Sequence, residues 1–143
     1  MSTRTRGSRV LASRTFRLSP NGARVKVSLG IPEPDPKSEN RDWRCPFRVS
    51  GIGTARVRYA YGIDAFQSLQ LAMVGIRAIL EPKRRQLKWD GGTLESAFPR
   101  MVPSGFGHGL TGQIEKFIDR EVTGFCRELE RRHKRRTVRK REA

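Results

Sequence analysis

The stretch 56–80, RVRYAYGIDAFQSLQLAMVGIRAIL, changes its period part-way, and that change decides the fold class. Its opening alternates, with Val57, Tyr59 and Tyr61 on one side and Arg56 and Arg58 on the other, the period of a half-buried strand. Beyond Gly62 the apolar residues recur at Phe66, Leu69, Met73, Ile76 and Leu80, steps of three and four that trace one stripe of a helix. Leu71, Ala72, Val74, Ala78 and Ile79 thicken the stripe, so the helix is expected to be largely buried. The junction carries its own start signal. Asp64 can accept from free N–H groups of the first turn, Gln67 can reach back as in a capping box, and Ile63 is placed to staple. Glu81-Pro82 ends the run, because a residue before Pro is pushed out of the helical region.

Strand signals lie upstream. Val10, Ala12, Phe16 and Leu18 alternate with Ser13, Thr15 and Arg17, with Arg14 falling on the apolar face. Ser19-Pro20-Asn21-Gly22 is a turn, and Val25, Val27, Leu29 and Ile31 then alternate with Arg24, Lys26 and Ser28, which completes a hairpin. Residues 31–42, IPEPDPKSENRD, carry three Pro and many charges and are expected to form a surface loop that continues no ladder. Trp43, Cys45, Phe47 and Val49 alternate with Arg44, Pro46, Arg48 and Ser50, and Pro46 points to an edge or a bulge.

Downstream, Gln86-Leu87-Lys88-Trp89 can add a short fifth strand, and residues 93–109 read as an irregular crossing with Pro99, Pro103 and the glycines of SGFGHG. From Leu110, apolar residues at Ile114, Phe117, Ile118, Val122, Phe125 and Leu129 mark a second amphipathic helix. The expected class is α+β: a four- to five-stranded antiparallel sheet, one buried helix packed on a face, and a long amphipathic C-terminal helix ending in a basic tail. The divisions are a basic arm over 1–8, an α+β domain over 9–99, a Gly/Pro-rich connector over 100–109, a helix over 110–134 and a basic tail over 135–143.

Several segments together resemble a family of small bacterial domains of unknown function: VKVSLGIPEPD, DWRCPFRVSGIG, RVRYAYGIDAFQSLQLAM, LKWDGG and Phe98-Pro99. The likeness covers about residues 24–99, with WRCPF and GIDAFQSLQLA its most specific parts. It implies a bacterial or phage-borne source and the strand-then-helix order, and it brings no activity with it. The last part of the chain lies outside it.

Charge is the second theme. The 143 residues hold 30 Lys and Arg against 14 Asp and Glu, a net of +16. Residues 1–17 contain five Arg and no acid, and residues 127–143 contain nine basic and three acidic residues, so eleven of the sixteen excess charges lie at the two ends. Twenty-three of the thirty cations are Arg, whose planar fork suits phosphate and carboxylate better than a Lys does. Leu, Ile, Val and Phe total 33, enough for a folded core despite the charge. Cys45 and Cys126 form no CxxC and read as reduced packing residues, and His108 and His133 fit no metal spacing. No apolar run reaches membrane-spanning length and no secretory signal opens the chain, so a cytoplasmic protein without membrane insertion is expected. No nucleophile, acid/base pair, cofactor motif or metal cluster emerges, and no enzyme activity is expected.

The candidate binding residues form two groups. If Val25/Val27/Leu29, Trp43/Cys45/Phe47/Val49 and Ala55/Val57/Tyr59 point inward, then Arg24, Lys26, Arg44, Arg48, Arg56 and Arg58 share the outward face. That arrangement buries the aromatics and disfavours base stacking by the sheet. The second group is the run Arg131, Arg132, Lys134, Arg135, Arg136, Arg139, Lys140 and Arg141, suited to phosphates through counterion release. The expectation is a non-enzymatic binder of RNA or DNA in a phage, defence or ribonucleoprotein setting. The alternative is a protein-interaction module, such as an inhibitor, immunity protein or accessory subunit, that docks on an acidic protein partner. The sequence carries no signal of oligomeric state.

Overall fold

The computed structural model describes residues 9–142, so the arm expected over 1–8 lies outside the described residues. The chain divides into two compact units between Arg100 and Met101. In the first unit, strands β1 (Val10–Leu18) and β2 (Ala23–Gly30) form the expected antiparallel hairpin. Its turn closes with the Gly22 N–H donating to Leu18 O at 2.7 Å, and Gly22 adopts a φ of +72° that a side chain would resist. β4 (Trp43–Ser50) lies at the centre of the sheet. Its residues Phe47 and Arg48 pair with β2 on one side and with β5 (Val57–Gly62) on the other.

Inside the segment expected as a loop, Glu33–Pro34 form a two-residue strand, β3, that pairs with Arg44 and Trp43. The ladder along β4 therefore passes from β2 to β3 around Cys45 and Pro46, and the interruption there is what admits a proline into an inner strand. The expected fifth strand exists as β6 (Leu87–Lys88), which pairs with β1 on the far edge.

Helix α1 (Ala65–Leu80) packs on the inner face of the sheet. Its start is as expected: Asp64 Oδ1 accepts from Gln67 N–H at 2.7 Å, and Gln67 Oε1 accepts from Ile63 N–H at 2.8 Å. Ile63 itself is exposed and staples nothing. A 3₁₀ turn (Glu81–Lys83) and the short helix α2 (Leu94–Ala97) follow, the latter inside the segment expected to be irregular. Phe16, Val25, Val27, Cys45, Phe47 and Val49 from the sheet close against Ala72, Ile76 and Leu80 of α1 and against Leu87, Leu94, Ala97 and Phe98. Full burial of each large side chain stabilises by roughly 1.5–3 kcal/mol.

α1 is not buried all round. Its buried face runs Ser68, Ala72, Ile76 and Leu80, while Phe66 is 79 % exposed and Met73 is partly exposed at the edge of the packed face. The helix lies close to the sheet on its small residues: a Cβ on Gly75 would stand 2.9 Å from the Phe47 ring, and one on Gly62 would stand 2.5 Å from Ser68 N. Arg14, the cation on the apolar row of β1, is kept there by stacking. Its guanidinium lies 4.1 Å from the Trp89 ring centroid and 5.4 Å from that of Phe98, and it donates to Ala97 O.

The second unit is dominated by helix α3 (His108–Glu142), 35 residues long. It begins two residues before Leu110 and runs through the segment expected as a separate tail. No Gly or Pro interrupts residues 125–142, and Arg, Lys and Glu are good helix formers. None of its residues is buried, and Phe117, Ile118, Val122, Phe125 and Leu129 are all exposed.

Candidate nucleic-acid interface

The face of a sheet to which a residue belongs follows from its cross-strand partner, because directly opposed residues point the same way. On β4 the buried row is Cys45, Phe47 and Val49. Phe47 is opposite Arg58, Cys45 opposite Ala60 and Trp43 opposite Gly62, so the inner row of β5 is Arg58, Ala60 and Gly62. Val57, Tyr59 and Tyr61 stand opposite Arg48, Pro46 and Arg44 on the outer face. This reverses the expectation for β5. Arg58 leaves the outer face, Arg56 precedes the strand, and the two tyrosines become outer-face residues, 38 % and 54 % exposed. The physical reason is the close approach of α1 at the end of this row, where a Cβ on Gly62 would stand 2.5 Å from Ser68 N and a tyrosine could not fit. Gly62, two residues before the Asp64 cap, was the signal in the sequence for this reversal.

Arg24, Lys26, Arg44 and Arg48 are on the outer face as expected, and the pairing adds two cations that sequence reasoning did not select. Arg17 is opposite Arg24 on one side and Lys88 on the other, so Arg24, Arg17 and Lys88 form one row across β2, β1 and β6. Both additions were on polar positions of their strands; what the sequence hid was the long-range pairing of β1 with β6. Lys26 occupies the next row, between Thr15 and Ser50, and Arg48 the one after, between Ser28 and Val57. Among the described residues, Arg44 is the one outer-face cation in an ion pair, held at 2.8 Å by Glu33. Its guanidinium lies 4.4 Å from the Tyr59 ring centroid. Between the tyrosines and the cation row, Val10, Gly30, Ser28, Lys26, Arg48, Pro46 and Val57 border an open depression of about 390 Å³.

The second candidate group lies on α3. Arg131 and Arg132 are bound to Glu128 at 3.0 and 3.1 Å, and the pair, led by the Arg132 hydrogen bond, holds that carboxyl below its usual range. Lys134, Arg135, Arg136, Arg139, Lys140 and Arg141 make no ion pair among the described residues. The thiols differ. Cys45 is buried, and that burial pushes its pKa up to about 11, whereas Cys126 is exposed rather than packed. Among the described residues no group of His, Cys, Asp and Glu is placed to hold a metal ion, and no helix is long and apolar enough to cross a membrane.

Residues 12–100 match the model of a family described as a domain of unknown function, DUF6968. The chain belongs to that family. The DUF6968 match spans β1 to the end of the first unit and leaves α3 outside, a wider reach at the N-terminal side than the resemblance read from the sequence. No curated protein and no solved structure matches the chain.

Proposed function

We propose that this protein is a non-enzymatic nucleic-acid-binding protein, which grips phosphates with the outer face of its sheet and with the basic half of α3. The observation that carries the reading is the row Arg24–Arg17–Lys88. Three cations stand directly opposite one another on adjacent strands, with no carboxylate bound to any of them among the described residues. Like charges so placed cost roughly 0.2–1 kcal/mol per pair, a cost that a phosphate lying across the row removes. An ordinary solvated face would intersperse acids, and on this one Glu33 is taken up by Arg44. The unpaired cations of α3 add a second set of contacts. The reading places the protein in the cytoplasm, where two unpaired thiols persist.

Purification without nuclease, followed by ultraviolet absorbance, tests the proposal. Copurifying nucleic acid that is lost at high salt supports it. A partner that survives nuclease treatment and proves to be an acidic protein would replace it with the protein-interaction reading.

A further inference from the structure

We infer that the β4–β5 end of the outer face is a stacking site for single-stranded nucleic acid, with bases on Tyr61 and on the Tyr59–Arg44 pair and phosphates on Lys26 and Arg48. The inference rests on the nucleic-acid reading and adds the class of strand. Its basis is the register of β5, which puts Tyr59 and Tyr61 beside the cations instead of under α1. Tyr61 is more than half exposed, opposite Arg44 and with no aromatic partner among the described residues. Tyr59 lies under the Arg44 guanidinium, and Glu33 pins that guanidinium in place, so the pair presents a fixed planar surface. Guanidinium planes and phenol rings are the surfaces on which unpaired bases stack.

Spacing favours an unpaired strand. Side chains two residues apart on one face of a strand are about 6.6–6.8 Å apart, twice the rise of about 3.4 Å between bases of a duplex. Duplex bases also hide their flat faces in the stack, whereas a strand with splayed bases offers one to each tyrosine. Across β4 from the tyrosines, the small residues Ser28 and Gly30 lie along the open depression whose border carries Lys26 and Arg48. Neither cation is bound to a carboxylate among the described residues, which leaves both for the backbone of the same strand. From there the track of positive charge continues to the Arg24–Arg17–Lys88 row.

The test compares the whole chain with Tyr59→Ala, Tyr61→Ala, Tyr59→Phe and Tyr61→Phe, using labelled oligo-uridine, oligo-deoxythymidine and a DNA duplex of the same length in fluorescence anisotropy. Each Ala change is expected to weaken single-strand binding by roughly 5- to 150-fold, the span that one base–aromatic stack supports. The Phe changes, which keep the ring, should restore it, and duplex binding should stay as it was. Equal losses on duplex and single strand, or no loss on single strands, overturn the stacking site and leave the phosphate-binding reading standing. Failure of the unaltered protein to bind any of the three probes overturns that reading, and the stacking site with it.

Discussion

Helices α1 and α3 carry similar apolar stripes, and only one of them closes a core. α1 buries Ser68, Ala72, Ile76 and Leu80 against the sheet, with Gly75 fitted under the Phe47 ring. α3 buries nothing, and past Leu129 its side chains are almost all charged. The difference teaches that a stripe of large residues is not what commits a helix to a surface. What distinguishes α1 is that Ser68, Ala72 and Gly75 allow an approach close enough for Ile76 and Leu80 to be fully buried, together with a cap, Asp64, that fixes where the helix leaves β5. The DUF6968 match follows the same division, covering α1 and ending before α3.

The largest expected effect is on the charged side of that comparison. Replacing Lys134, Arg135, Arg136, Arg139, Lys140 and Arg141 by Ala should lower affinity for nucleic acid at low salt on the order of a thousandfold or more. The log–log salt slope should become shallower by about 4 to 5. Thermal unfolding of the β-sheet unit should not move. Unchanged affinity in such a variant would leave the sheet face as the whole site.

A matched pair of isoleucines breaks the comparison on the packing side. Ile76→Ala empties a fully buried position and should cost about 2–5 kcal/mol in a denaturant melt, whereas Ile118→Ala on α3 should change the same melt by less than about 0.5 kcal/mol. Similar losses from both would mean that α3 is as much part of a core as α1. Gly62→Ala should cost about 1–3 kcal/mol by pushing β5 from the start of α1, where a Cβ would meet Ser68 N at 2.5 Å. The smallest perturbation is thiol labelling. Cys126 should react at once in the native protein, and Cys45, buried and with its thiol pKa at about 11, should react only as the protein unfolds.

Much of the fold was legible in the residues. The 23–30 strand, the alternation of 43–50 and the Asp64–Gln67 start of α1 each announce themselves locally, because hairpins and caps are set by near neighbours. The facing of β5 was not, since an alternating strand has two ways to lie and the six residues between Ser50 and Val57 reset its phase. There the end of the inner row nearest α1 was marked by small size, Ala60 and Gly62, and not by apolar bulk. The same reversal decided the candidate site. It removed Arg58, brought out Tyr59 and Tyr61, and left Arg24, Lys26, Arg44 and Arg48 where alternation put them. Arg17 and Lys88 joined the face through a contact between strands far apart in sequence, which no local pattern encodes.

The central claim is that these cations are arranged for phosphates, and a salt titration of binding tests it most directly. With the whole chain and a DNA duplex, log affinity should fall in a straight line with log salt, each phosphate engaged contributing about 0.9 to the slope, so that a site of this size gives a slope of magnitude about 6 or more. No binding at the lowest salt, or an affinity indifferent to salt, would contradict the account.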